Sequence, residues 1–172
     1  AKRIIQKSDK PVLVLKEDTS LNVQHILCPV DLSATSKRAL KNAITMAYRF
    51  RAELTILYVC EPSGSAWFTS GTETDLERDK DCAGRVAKFD QFLNDFNLSG
   101  LQWNKVTRKG NPAEEILNII MEKTIDLLVI GTTGRTGLNR LMIGSVTEKV
   151  IREVPCSFLT LKSEDLIELQ LA

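Results

Sequence analysis

Asp126-Leu127-Leu128-Val129-Ile130-Gly131-Thr132-Thr133-Gly134 runs an unbroken apolar stretch straight into a glycine-containing bend, and after nine more residues Gly144-Ser145 opens a new element. A strand with no polar alternation is buried on both faces, as central strands of parallel sheets are. The segment upstream fits. Asn111-Pro112-Ala113-Glu114 is a helix start with Asn as cap, Pro at the first helical position and Glu two further on. Ile116, Ile119 and Ile120 then form a stripe at helical spacing.

Working outward, the same alternation of strand and helix recurs. His25-Ile26-Leu27-Cys28-Pro29-Val30-Asp31 reads as the first strand of the domain, and Ser33 caps a helix carrying Ala39, Ala43, Met46, Ala47 and Phe50 on one face. Leu54 to Val59 is the second strand. A Gly/Ser-rich loop around Pro62-Ser63-Gly64-Ser65 leads to a long polar helix from about Thr74 to Asn97, with Val86, Phe89, Leu93 and Phe96 on its apolar side. Gln102 to Arg108 is a weaker third strand. Asp126 to Ile130 is the fourth, Ser145 to Glu153 a short helix, and Ser157 to Lys162 the fifth strand. Such an order predicts a parallel sheet with helices on both faces, because parallel crossovers are right-handed. Ligands of these sheets sit beyond the carboxyl ends of the strands, where strand order reverses.

The front of the chain repeats its end. Shifted by 146 residues, Lys2-Arg3-Ile4-Ile5 falls on Glu148-Lys149-Val150-Ile151, and Pro11-Val12-Leu13-Val14-Leu15-Lys16 falls on Ser157-Phe158-Leu159-Thr160-Leu161-Lys162. An offset of one domain length is what tandem duplication produces. Residues 1–18 are therefore read as the closing helix and strand of an earlier copy, 19–24 as a linker, 25–162 as the domain and 163–172 as a tail. The alternative is an unrelated strand that resembles the fifth by chance. Either way Val12 to Leu15 is expected to pair with the fifth strand, of this chain or of a neighbour, since an apolar edge left open invites aggregation.

Composition narrows the classes. Among 172 residues, 43% are hydrophobic and 26% charged, so a packed core is expected and disorder is not. A net charge of +1 gives no field to gather nucleic acid or an anionic membrane. No apolar run reaches the roughly 18–20 residues of a membrane span, and the N-terminus has no signal-peptide core. Cys28, Cys60, Cys82 and Cys156 form no C-x-x-C pair, and reduced, structural thiols in a cytoplasm are the expectation, with no metal site.

The chemistry points to the bend. Glycines let a backbone approach a ligand and turn N–H groups toward it, and a helix start adds free N–H groups and positive dipole. Gly131, Gly134, Gly144 and Ser145 together suit a di- or triphosphate, with Thr133, Ser145 and Thr147 as hydroxyl donors and Arg135 and Arg140 as nearby charge. Ser145-Val146-Thr147-Glu148 is also a capping box, whose side chains would satisfy the helix itself. No G-x-x-x-x-G-K-[ST] occurs, and the glycines are not spaced for a dinucleotide. Asp31 would flank the same crevice if the first and fourth strands are neighbours. There it could meet a ribose hydroxyl or a magnesium ion on the phosphates, or simply help to cap the next helix.

Pro29-Val30-Asp31-Leu32-Ser33, Leu57-Tyr58-Val59 and the G-x2-G-x9-G-S loop closely resemble the universal stress protein (UspA-like) family in its ATP-binding branch, over about residues 24–162. The resemblance implies an open, doubly wound five-stranded sheet of order 3-2-1-4-5, of the adenine-nucleotide alpha-hydrolase-like kind, with an extra N-terminal strand here. It implies ATP as ligand, with Pro29, Val30 and Asp31 at base and ribose and the backbone of Val59 at the adenine edge. Gly131, Thr133, Gly134, Gly144, Ser145, Val146 and Thr147 would hold ribose and phosphates. It also implies a homodimer, or a tandem pseudo-dimer, through the fifth strand. Dedicated catalysis is not expected: His25 starts the first strand, about 20 Å from the site at 3.3 Å per residue, and Asp31 has no evident partner base. Slow hydrolysis, or an interaction protein with an empty or lipid-filled pocket, are the competing readings.

Overall fold

The structure, a computed structural model, describes residues 2–8, 10–16, 22–61, 75–133 and 143–162. In chain order the elements are α1 (Lys2–Lys7), β1 (Val12–Val14), β2 (His25–Val30), α2 (Ala34–Phe50), β3 (Glu53–Cys60), α3 (Asp75–Leu93), β4 (Trp103–Lys109), α4 (Pro112–Glu122), β5 (Leu127–Gly131), α5 (Ser145–Glu153) and β6 (Ser157–Leu161). One sheet of order β1-β6-β5-β2-β3-β4 collects all six strands. Every neighbour is parallel except β1, which runs antiparallel along β6. Without β1 this is the expected order 3-2-1-4-5. The extra strand takes the edge that the apolar Val12–Val14 run requires.

Helix sides explain why the strands lack alternation. On one face α2 and α3 cover Ile26, Cys28, Val30 and Val129, and on the other α1, α4 and α5 cover Leu27, Leu128, Ile130 and Phe158. Both faces of β2, β5 and β6 are therefore buried, and their buried side chains are apolar except Ser157 and Thr160 of β6, whose hydroxyls bond to the backbone of Lys16 and Val12. Phe89 of α3 is fully buried and stacks on Tyr58 of β3 at 5.3 Å between ring centres. Strand β4, at the open edge, is mostly exposed and carries charge. Arg108 pairs with Glu122 at 2.7 Å and Lys105 pairs with Asp90. Charge on an edge discourages further strand addition.

The helix starts follow their caps. Ser33 Oγ accepts the Ser36 N–H at 3.2 Å, and Asn111 Oδ1 accepts the N–H groups of Ala113 and Glu114 at 3.0 and 3.3 Å, with Pro112 next in line. The ends differ in places. α3 stops at Leu93 rather than near Asn97, and Phe96 reaches the core from the turn that follows. The expectation of four reduced thiols holds for the buried Cys28 and Cys156 and fails for the other two. Cys60, at the carboxyl end of β3, and Cys82, on the returning α3, form a disulfide with Cα atoms 5.9 Å apart. Twenty-two residues separate them, so no short-range cysteine motif announces the pairing. Among the described residues no helix is long and apolar enough to cross a membrane.

Candidate functional site

β2 lies between β3 and β5, so the chain leaves its carboxyl end toward one side of the sheet and later returns on the other. That reversal opens a crevice. A cavity of about 600 Å³ occupies it, within the range of small-ligand pockets. Pro29, Val30, Asp31, Val59, Gly131, Thr133, Gly144, Ser145, Val146 and Thr147 all line it. The remaining candidate, Gly134, lies outside the described residues, as do Arg135 and Arg140.

One end of the cavity is built from backbone. Gly144 N–H donates to Thr132 O at 2.7 Å, and Thr132 N–H donates to Leu161 O at 2.8 Å. These bonds pin both ends of the intervening loop to the sheet. Gly144 is the N-cap of α5, with no side-chain cap bond. The capping box read at Ser145 is therefore not formed: Ser145 is the first helical residue, and Glu148 instead meets Lys2 and Arg152. The first N–H groups of α5 have no intrahelical acceptor, and the positive end of its dipole lies at the cavity wall. Thr147 Oγ1 donates to Gly131 O at 2.8 Å, which fixes the helix start against the end of β5.

Gly131 has a packing reason as well. A Cβ built there would stand 2.7 Å from Cγ2 of Thr35, in the first turn of α2. Real Cβ atoms do not come so close, so only glycine lets α2 approach β5 at this height. The same Thr35 joins Thr133 by a hydroxyl–hydroxyl hydrogen bond of 3.1 Å. The glycine and the threonine together set the width of the cleft.

The other end is built from side chains. Leu57, Val59 and Ile130 of the strands and Pro112 and Ile116 of α4 make an apolar wall. The β2–β3 ladder closes at Val30–Tyr58, so Val59 lies one residue beyond its last rung. Glu61 and Arg85 stand at the mouth, joined by a hydrogen bond from Arg85 Nη1 to the Glu61 carbonyl at 2.8 Å. The disulfide binds the two stretches that bear them, since Cys60 precedes Glu61 and Cys82 lies three residues before Arg85. Asp31 lies between the two ends. Its Oδ1 accepts the Ser33 N–H at 3.0 Å, bracing the turn in which Leu32 takes a left-handed φ of 66°. Asp31 thus supports the start of α2 and also lines the cavity.

Sequence reasoning did not name Ser36, Glu61, Arg85, Pro112 and Ile116 as cavity residues. Pro112 and Ile116 were visible as a helix start and a buried stripe, but their place beside β3 follows only from the sheet order. His25 lies at the opposite end of β2, where its N–H donates to Asp126. Cys28 is fully buried and its thiol is pushed far above the usual range by desolvation, while burial raises Cys156 to about 11. Neither thiol is an available nucleophile. Among the described residues no cluster of three or more metal-ligating side chains occurs.

Fold and cavity define an open, doubly wound α/β domain with its pocket at the switch point. The universal stress protein family model matches residues 22–162. A universal stress protein of Methanocaldococcus jannaschii, MJ0531, is 33% identical over 144 residues, covering 80% of this chain and 81% of the relative. The solved structure of MJ0577, from the same organism, superposes with a TM-score of 0.71 at 26% identity, over 85% of this chain and all of that one. A universal stress protein solved in complex with cAMP superposes at 0.60 with 22% identity, over 81% of this chain and 97% of that one. The chain belongs to the universal stress protein family.

Proposed function

We propose that the crevice binds ATP, in a stress-response regulatory role in which occupancy, not turnover, is the output. The observation that carries this reading is the pairing of two unlike ends in one cavity of about 600 Å³. The apolar wall of Val59, Pro112 and Ile116 suits a purine. Asp31, between the ends, suits the ribose hydroxyls, and a magnesium ion would travel on the phosphates. Gly131, Thr133 and the start of α5 at Gly144, Ser145, Val146 and Thr147 suit the phosphates, because backbone N–H groups and a helix dipole favour anions. Gly134 belongs to the same set by its place in the G-x2-G-x9-G-S motif. The relative in complex with cAMP supports an adenine nucleotide as the ligand class.

Calorimetric titration of the folded chain with ATP is expected to show saturable one-to-one binding. Asp31→Ala should weaken it about tenfold or more, as expected for loss of a charged hydrogen-bond acceptor, about 1.5–3 kcal/mol. Absence of heat from protein with an intact circular-dichroism spectrum would overturn the proposal.

A further inference from the structure

The Cys60–Cys82 bond lies where the sheet meets the mouth of the cavity, and its two ends are held differently. Cys60 is the last residue of β3. It pairs with Lys109 of β4, and its carbonyl accepts the Gly110 N–H at 3.2 Å. The sheet therefore fixes Cys60 with or without a bond to its sulfur. Cys82 belongs to α3, where Cys82, Val86, Phe89 and Leu93 face the core at helical spacing. Phe89 and Leu93 dock the later turns with large buried side chains, Phe89 stacking on Tyr58. A cysteine side chain offers far less contact, so the bond to Cys60 is the strongest tie between the turn at 82–85 and the sheet.

Gly84 weakens the same turn. Glycine is a poor residue for a helix interior, and packing does not require it, since a Cβ built at Gly84 meets nothing within 4 Å. Arg85, three residues after Cys82 and so on the same side of the helix, lines the cavity and donates from Nη1 to the Glu61 carbonyl at 2.8 Å. Glu61 lines the cavity too and directly follows Cys60. Each side of the mouth is thus within one turn of a sulfur. Fold stability alone gives no reason for the bond. Small domains without a sufficient core rely on disulfides, whereas this chain has 172 residues and two buried apolar clusters.

We propose that Cys60 and Cys82 form a redox latch that positions Arg85 at the mouth of the nucleotide site, so that the disulfide form holds nucleotide more tightly than the dithiol form. The inference rests on the nucleotide reading of the cavity. Opening the latch takes a dithiol reductant. Its thiolate attacks one sulfur, the S–S bond breaks, and the other cysteine leaves as a thiolate that takes up a proton. The reductant's second thiolate then displaces the first cysteine and closes its own disulfide, so that two electrons and two protons pass to the protein. A small disulfide oxidant reverses both steps. Once open, the turn bearing Arg85 loses its covalent hold on the sheet, while Phe89 on Tyr58 keeps the later turns of α3 in place. Coupling of this kind is reciprocal: bound nucleotide favours the disulfide by the factor by which the disulfide favours nucleotide.

The test is a pair of calorimetric ATP titrations on the whole chain, oxidised and after dithiothreitol, with the state confirmed by thiol counts in denaturant of two and four. Kd should rise about fivefold or more on reduction, the lower end of ordinary coupling. Saturating ATP should shift the ratio of reduced to oxidised dithiothreitol at half-reduction by that same factor. The double variant Cys60→Ser, Cys82→Ser should bind like the reduced chain and ignore dithiothreitol. Gly84→Ala, which has room for its methyl group, should narrow the gap between the two states by strengthening the turn. Equal affinity in both states would overturn the latch and leave the nucleotide reading standing, whereas no binding in either state would overturn both. A reduced chain that loses its circular-dichroism spectrum would make the bond a staple of the fold and overturn the latch as well. Without nucleotide, reduction should speed hydrogen exchange at the amides of Ala83 to Arg85 and spare that of Phe89; exchange unchanged at all of them would contradict the latch whatever the ligand.

Discussion

The two ends of the crevice reach the same cavity by different means. The end at Gly131 and Gly144 is made of backbone: a strand terminus, a helix start and the hydrogen bonds from Gly144 and Thr132 that hold them in place. The end at Val59 is made of side chains drawn from β3, α4 and the mouth of α3. A backbone site depends on where the chain bends, so glycines and helix starts mark it within a short stretch of sequence. A side-chain site depends on which strands become neighbours, and its residues are scattered from Leu57 to Ile130.

That contrast can be sharpened by substitution. The largest effect is expected at the side-chain end. Ile116 is only 3% exposed and packs in the core shared by α4, β3 and β5. Ile116→Ala should cost about 2–5 kcal/mol of stability through cavity formation, read by chemical denaturation, and should weaken nucleotide binding together with it. A variant as stable as the parent would show that the wall is not packed as described. At the backbone end Gly131→Ala is expected to cost about 1–3 kcal/mol by overpacking against Thr35. Thr35→Ser in the same chain removes the methyl group in the way and should recover part of the loss. Absence of coupling between the two changes would separate the glycine from the helix it admits. Smallest is Thr147→Val, which deletes the bond to Gly131 O and should cost about 0.5–1.5 kcal/mol. A thermal melt of the variant that coincides with the parent's would mean that the helix start is held by the Gly144–Thr132 bond alone.

The sequence made the ordered skeleton legible where local chemistry decides it. Ser33, Asn111 and Pro112 set helix starts that the structure keeps, and the continuous apolar run of β5 foretold burial on both faces. The apolar run of Val12 to Leu15 called for the fifth strand of this chain or of a neighbour as its partner, and β1 lies on β6 of the same chain. What failed depended on competition or on long-range approach. Ser145 has the composition of a cap, yet Gly144 takes that position because its N–H is drawn to Thr132. Cys60 and Cys82 carry no motif, and their disulfide follows from the path of α3 back across β3. Arg85 and Ile116 joined the cavity for the same reason: crossover geometry, invisible to any local window, brings them to β3.

The account rests on one anionic ligand spanning both ends, and amide shifts in a nuclear magnetic resonance titration with ATP report on each end separately. It predicts that the amides of Val59, Gly131 and Gly144 to Thr147 move together and saturate at one common concentration, and that adenosine moves Val59 while leaving Ser145 and Val146 nearly still. Shifts confined to another face, or saturating at unrelated concentrations at the two ends, would contradict it.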